Sequence, residues 1–176
     1  DLRSLPEGRL VSPGHSIELA WFLLHALEHL GGEVRHARVR DMALKTIEGT
    51  LEFGWDAKYG GLFHFMDVCG KPPIVLEHFM KVWWPHTEAL YALVLACLET
   101  GDRVFLKWLK KVEDYSWRHY ADPKYGEWFG YCDRQGNLTH TSKGTNYKGF
   151  FHVPRFLMMS AQRIEAANAA QHAREI

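Results

Sequence analysis

Asp122-Pro123-Lys124-Tyr125-Gly126-Glu127-Trp128-Phe129-Gly130-Tyr131 echoes Asp56-Ala57-Lys58-Tyr59-Gly60-Gly61-Leu62-Phe63-His64-Phe65, 66 residues upstream. Each copy follows a stretch with helical periodicity. From Val34 to Phe53, Val39, Met42, Ala43, Ile47 and Leu51 recur at helical spacing, while Arg35, Arg38, Arg40, Asp41, Lys45 and Glu48 fill the remainder. From Arg103 to Tyr120, Phe105, Leu109, Val112 and Tyr115 form one stripe, and Lys107, Lys110, Lys111, Glu113 and Asp114 lie off it. Both are expected to be amphipathic outer helices. Ahead of each lies a helix without a polar face. His15 to His29 is closed by Gly31-Gly32, and Ala89 to Leu98 by Thr100-Gly101. A helix apolar nearly all round is expected to be buried on all sides.

Three histidines keep the same beat. His15, His86 and His152 are separated by 71 and 66 residues, each near a proline: Pro13, Pro85 or Pro154. Alternating buried and amphipathic helices at this period describe an array of helical hairpins. Inner helices starting at His15, near His86 and at His152 form one wall, and the two outer helices cover it. β-Hairpins around Tyr59 and Tyr125 are expected to join each outer helix to the next inner one, with Leu62 to Met66 strand-like. The fold class is therefore all-α, one domain over residues 1–176, with about five helices. A closed ring of six hairpins would need roughly 400 residues. A start at Asp1 without Met and an end in the polar tail Gln171 to Ile176 suggest the back portion of a longer protein. Such a piece is expected to be inactive and poorly soluble alone, because faces meant for absent hairpins are apolar.

Composition narrows the function classes. The 176 residues are 47% hydrophobic and 24% charged, which excludes disorder. Lysine plus arginine (21) balances aspartate plus glutamate (21), so no basic field exists to attract nucleic acid. The longest apolar run, Ala89 to Leu98, is too short to span a bilayer. Three cysteines cannot all pair, and no signal-like segment opens the chain, so a cytoplasmic setting is expected. Seven Trp, seven Tyr, ten Phe and eleven His suit either a pocket for a polar, ring-shaped metabolite or an aromatic core.

Chemistry concentrates at the starts of the inner helices. His15 and Glu18 stand at i, i+3, so the carboxylate is expected to orient the ring. Trp83 with His86, and Trp84 with Glu88, share faces at i, i+3 and i, i+4. Adjacent indoles could flank a sugar while His86 and Glu88 take its hydroxyls. Tyr147, His152 and Arg155 form the third cluster, with Arg155 either a pocket cation or a buried ion pair. One such cluster is ordinary; three in register facing one cavity form a site hypothesis. Two histidines from opposite walls suit removal of a proton from one face of a carbon and its return to the other. A metal held by His15, His86 and His152 is the weaker reading, since the cysteines and close histidine pairs of common metal sites are missing.

The runs Gly8-Arg-Leu-Val-Ser-Pro-Gly-His15-Ser-Ile-Glu18-Leu-Ala-Trp21, Met80-Lys-Val-Trp83-Trp84-Pro-His86-Thr-Glu88 and Lys148-Gly-Phe-Phe-His152-Val-Pro-Arg155 closely resemble the N-acylglucosamine 2-epimerase family, especially its animal members, also called renin-binding protein. The similarity covers nearly the whole chain and matches the family's C-terminal portion. It implies part of an (α/α)6 barrel, a homodimer, and interconversion of N-acetylglucosamine with N-acetylmannosamine through the ring-opened sugar. By the family's pattern His15 and His152 exchange the C2 proton, and Glu18 and Glu88 position substrate and tune the histidines. Trp83, Trp84, His86, Tyr147 and Arg155 are substrate-binding candidates. Tyr147 stands where some sugar epimerases carry Trp. The resemblance implies no metal and no required cofactor, with ATP or another adenine nucleotide as an allosteric effector and renin as a partner. No phosphate-cradling glycine-rich loop occurs in the chain. The competing functions are a sugar- or renin-binding module without turnover, and an epimerase or isomerase of an unacylated sugar.

Overall fold

The computed structural model describes residues 1–30 and 34–175. Two single-turn 3-10 segments, Leu2–Ser4 and Glu7–Arg9, lead into strand β1 (Leu10–Val11) and helix α1 (Pro13–Leu30). Helix α2 (Val34–Gly54), strands β2 (Met66–Asp67) and β3 (Lys81–Val82), and helices α3 (Trp83–Thr100) and α4 (Arg103–His119) follow. Strand β4 (Tyr131–Cys132) and helix α5 (His152–Glu175) complete the order. The Gly31-Gly32 stop lies outside the described residues.

Helix α3 is the hub. It packs against α1 on one side and α5 on the other, while α2 and α4 cover the row from outside. Its sequence has no polar face, so it is stable only where neighbours surround it. Leu90, Leu93, Ala92 and Ala96 are buried there, against Ile17, Ala20 and Trp21 of α1, Ile47 and Leu51 of α2, Val112 of α4 and Phe156 of α5. The helix ends at Gly101, whose left-handed φ of 67° lets its N–H reach the Cys97 carbonyl at 2.9 Å. Asp102 then caps α4, its carboxylate accepting from the Val104 N–H at 2.9 Å.

Three expectations need correction. Helix α1 is buried on one side only: Leu19 and Phe22 are exposed, because among the described residues it packs mainly against α2 and α3, with α5 meeting it through ion pairs. The polar tail from Gln171 is helix through Glu175, continuing an alanine-rich stretch of high helix propensity. The hairpins around Tyr59 and Tyr125 shrink to single bridges, Trp55 with Leu62 and Ala121 with Trp128. The two-residue ladders form elsewhere: β1 pairs antiparallel with β2, and β3 with β4. Each ladder therefore ties the entry of an inner helix to the segment after the following outer helix.

The repeated motif is legible in those turns. Asp56 accepts from the N–H groups of Lys58 (3.0 Å) and Tyr59 (3.3 Å), and Asp122 does the same for Lys124 (2.8 Å) and Tyr125 (3.2 Å). An aspartate that satisfies its own turn explains why the residue recurs. At the hub, Leu93→Ala should cost about 2–5 kcal/mol, read as a lower urea midpoint. An unchanged midpoint would remove α3 from the centre of the core.

Candidate active site

The inner helices begin at one end of the array, and their first turns enclose a cavity of about 510 Å³. That size suits a small metabolite. His15 of α1, Trp83 and Trp84 of α3 and His152 of α5 line it, together with Tyr131, Tyr147 and residues of the 64–82 connection, including His64 and Glu77. Trp84 is close to both histidines, its ring centroid 4.7 Å from His15 and 5.7 Å from His152. Helix α1 can come this close because residue 14 is glycine. A Cβ there would lie 2.4 Å from the Trp84 ring.

Below the cavity Glu88 is buried, and three elements converge on it. Its Oε1 accepts from His152 Nδ1 at 2.7 Å and from Arg155 Nη2 at 2.6 Å, and its Oε2 accepts from the Trp21 indole N–H at 2.9 Å. Burial alone would push this carboxyl up, but the donors His152, Arg155 and Trp21 outweigh it and hold Glu88 below the usual carboxylate range. An ionised carboxylate only accepts, so His152 carries hydrogen on Nδ1, and Nε2 is the nitrogen left to exchange a proton. Arg155 Nη2 also donates to Glu18 Oε1 at 2.8 Å, and its guanidinium lies over the rings of Phe151 and Trp21. With a neutral His152 the four groups sum to one negative charge; a proton on His152 balances it.

Two assignments change. Glu18 does not orient His15 but reaches across to Arg155 of α5, because the shared helical face also faces the neighbouring helix. His86 does not meet the cavity. It is fully buried, with Nδ1 donating to the Val82 carbonyl at 2.8 Å and Nε2 accepting from the Leu62 N–H at 2.9 Å. Three residues turn a helix about 60° short of a full circle. That offset leaves Trp83 at the cavity wall while His86 stacks on Tyr115 in the core. Burial holds the His86 pKa down at about 3.

His64, Glu77 and Tyr131 are polar cavity residues that sequence reasoning missed, and His64 is the one that titrates near neutrality in its free form. Burial lowers its pKa, partly opposed by Glu77. The signal was present: His64 sits in the repeat where the second copy has Gly130. A larger hollow of about 690 Å³, lined by Trp55, Trp108, Lys111 and Tyr115, contains neither His15 nor His152. Glu18, Glu88 and His152 place three donor atoms within 4.8 Å of one another, as a metal site would. Arg155 Nη2 already bonds both carboxylates, so a guanidinium takes the cation's place.

Paired helices around a row of inner helices, with two imidazoles and an indole lining a cavity at one end, define a helical-hairpin protein. A family model for N-acylglucosamine 2-epimerase (GlcNAc 2-epimerase) matches residues 3–154, and the chain belongs to that family. It is 43% identical over 157 residues to the N-acylglucosamine 2-epimerase of Bos taurus, covering 89% of this chain and 36% of that protein. The Homo sapiens protein of the same name is 42% identical over 159 residues, 90% of this chain and 36% of its own length. The chain thus spans little more than a third of the curated relatives it matches. Among solved structures, a cellobiose 2-epimerase from Bacillus thermoamylovorans B4167 superposes with a TM-score of 0.72 at 27% identity, over 88% of this chain and 38% of that one. A D-mannose isomerase gives 0.75 at 23% identity, over 86% and 37%. The five helices are part of an (α/α)6 barrel.

The buried neutral His86 carries a pH signature. Its folded pKa of about 3 lies below the unfolded value of 6.5, so the unfolded chain binds the extra proton between those values. His86 should leave stability unimpaired above pH 6.5 and erode it progressively as pH falls towards 3. Denaturant midpoints across that range, compared with those of a His86→Gln variant, should show the steeper loss in the parent. Equal slopes would refute the assignment.

Proposed function

We propose that this chain carries the proton-transfer part of a sugar 2-epimerase site that interconverts N-acetyl-D-glucosamine and N-acetyl-D-mannosamine. The observation that carries this reading is the placement of His15 and His152 in one cavity, both near Trp84, with Glu88 holding His152 from behind. In the open-chain sugar the aldehyde acidifies the hydrogen on C2. One imidazole takes that proton through its lone pair, and the C2–H electrons form a C1=C2 double bond as the aldehyde π electrons move to O1, giving an enolate. The other imidazole, protonated, delivers its proton to the opposite face of C2, and C2 is inverted as the aldehyde re-forms. Glu88 keeps the His152 tautomer fixed and balances the positive charge while that ring is protonated. Arg155 neutralises the second carboxylate, Glu18, so the cluster does not repel an enolate. Trp83, Trp84 and Tyr147 offer apolar faces to the carbon skeleton.

No step draws on a metal. A homodimer, an adenine-nucleotide effector and contact with renin belong to the same proposal and are supported by family resemblance alone, whereas a cytoplasmic setting is supported by the odd cysteine count.

The test uses the longest protein that contains these residues, incubated with N-acetylmannosamine in D2O. Deuterium should appear at C2 together with N-acetylglucosamine, and EDTA should leave the rate unchanged. Saturable sugar binding without label would overturn the reading in favour of a binding module. His15→Ala and His152→Ala should each lower turnover by about 10²-fold or more while preserving the helical circular dichroism. Retained turnover in either variant would remove that histidine from the reaction.

A further inference from the structure

Glu127 is the one non-glycine residue with a positive φ, 61°, among the described residues. The two echoed turns are otherwise the same. The Gly60 N–H reaches the Asp56 carbonyl at 2.8 Å and the Asp56 N–H reaches the Gly61 carbonyl at 2.9 Å; in the second turn Gly126 to Asp122 and Asp122 to Glu127 are both 3.0 Å. Gly61 takes the left-handed position with φ 75° and no side chain to strain. A glutamate in that place bears a conformational cost, and strain kept in a fold calls for a local reason.

The reason lies in the lysine ahead of the next inner helix. Before α3, Lys81 is fully buried, and its Nζ is held by the Asp56 carboxylate (3.3 Å) and the Gly61 carbonyl (3.2 Å). Before α5, Lys148 is likewise buried, but Asp122 is occupied by Lys143 at 2.6 Å. Glu127 supplies the missing acid, accepting from Lys148 Nζ at 2.8 and 2.7 Å. Lys148 in turn organises the segment around it. Its Nζ donates to the Lys143 carbonyl at 3.0 Å, its backbone exchanges bonds with Thr145, and its stem passes where a Cβ at residue 130 would sit. Residues 143–151 contain no helix or strand, yet they bear the cavity-lining Tyr147 and run directly into His152.

We infer that Glu127 is a positioning residue: through buried Lys148 it fixes the 143–151 segment that sets Tyr147 at the cavity and leads into His152. The kinetic part of this inference rests on the epimerase reading; the conformational part does not.

Two variants test it, Glu127→Gly, which relieves the backbone while deleting the carboxylate, and Glu127→Gln, which keeps the side chain's shape. Limited trypsin digestion of the chain, with cleavage sites assigned by mass spectrometry, should show cutting after Lys143 and Lys148 about tenfold faster in both. Cleavage after Lys107 and Lys110 of α4 should keep its parent rate in both variants. Unchanged cleavage after Lys143 and Lys148 overturns the inference, as does an equal acceleration within α4, which would mark general loosening. In an active parent protein, both variants should raise KM about tenfold with kcat within about twofold. A loss confined to kcat counts against the inference. A parent without turnover refutes the epimerase reading, and the trypsin pattern then decides this one alone.

Discussion

The carboxylate of Glu88 joins three inner helices at a single point. It sits on α3 and receives an indole N–H from α1 and both an imidazole N–H and a guanidinium from α5. A buried charge is costly unless every lone pair has a donor, and here the donors come from elements that pack against α3 for hydrophobic reasons as well. The same bonds that satisfy the charge therefore fix how the helices approach one another. Removing the acid would strand Arg155 beside Glu18 and release the His152 tautomer together, so architecture and proton chemistry share one dependence.

Much of this was legible in the sequence because the relevant signals are periodic. The alternation of an apolar helix such as 89–98 with a striped one such as 103–120 encodes inner and outer positions directly. The recurring Asp-x-Lys-Tyr-Gly pattern encodes the turn, since Asp56 and Asp122 cap it with their own side chains. Periodicity was less informative about what lies beside a helix. Leu19 and Phe22 read as core residues, yet they are exposed in the described structure, because burial depends on a neighbour that the helix's own pattern does not supply.

The site was partly legible for the same reason. Spacing at i, i+3 puts Glu18 and His15 on a common face, but it cannot say that Arg155, 137 residues away, competes successfully for the carboxylate. His86 and His152 keep the same beat with opposite outcomes. The first has both nitrogens consumed by backbone partners at Val82 and Leu62, whereas the second has one nitrogen held by Glu88 and lines the cavity. His64 escaped notice because it stands in a short apolar run, where only comparison with Gly130 marks it as unusual.

The absence of a side chain at residue 14 has a geometric consequence. Because the Trp84 ring rests against that backbone, the approach of α1 to α3 beside His15 is set by contact with the indole. Glycine there acts as a shim of zero width. Any larger residue would wedge α1 away from the indole, so the wall of the chamber at His15 depends on a position that contributes no functional group of its own.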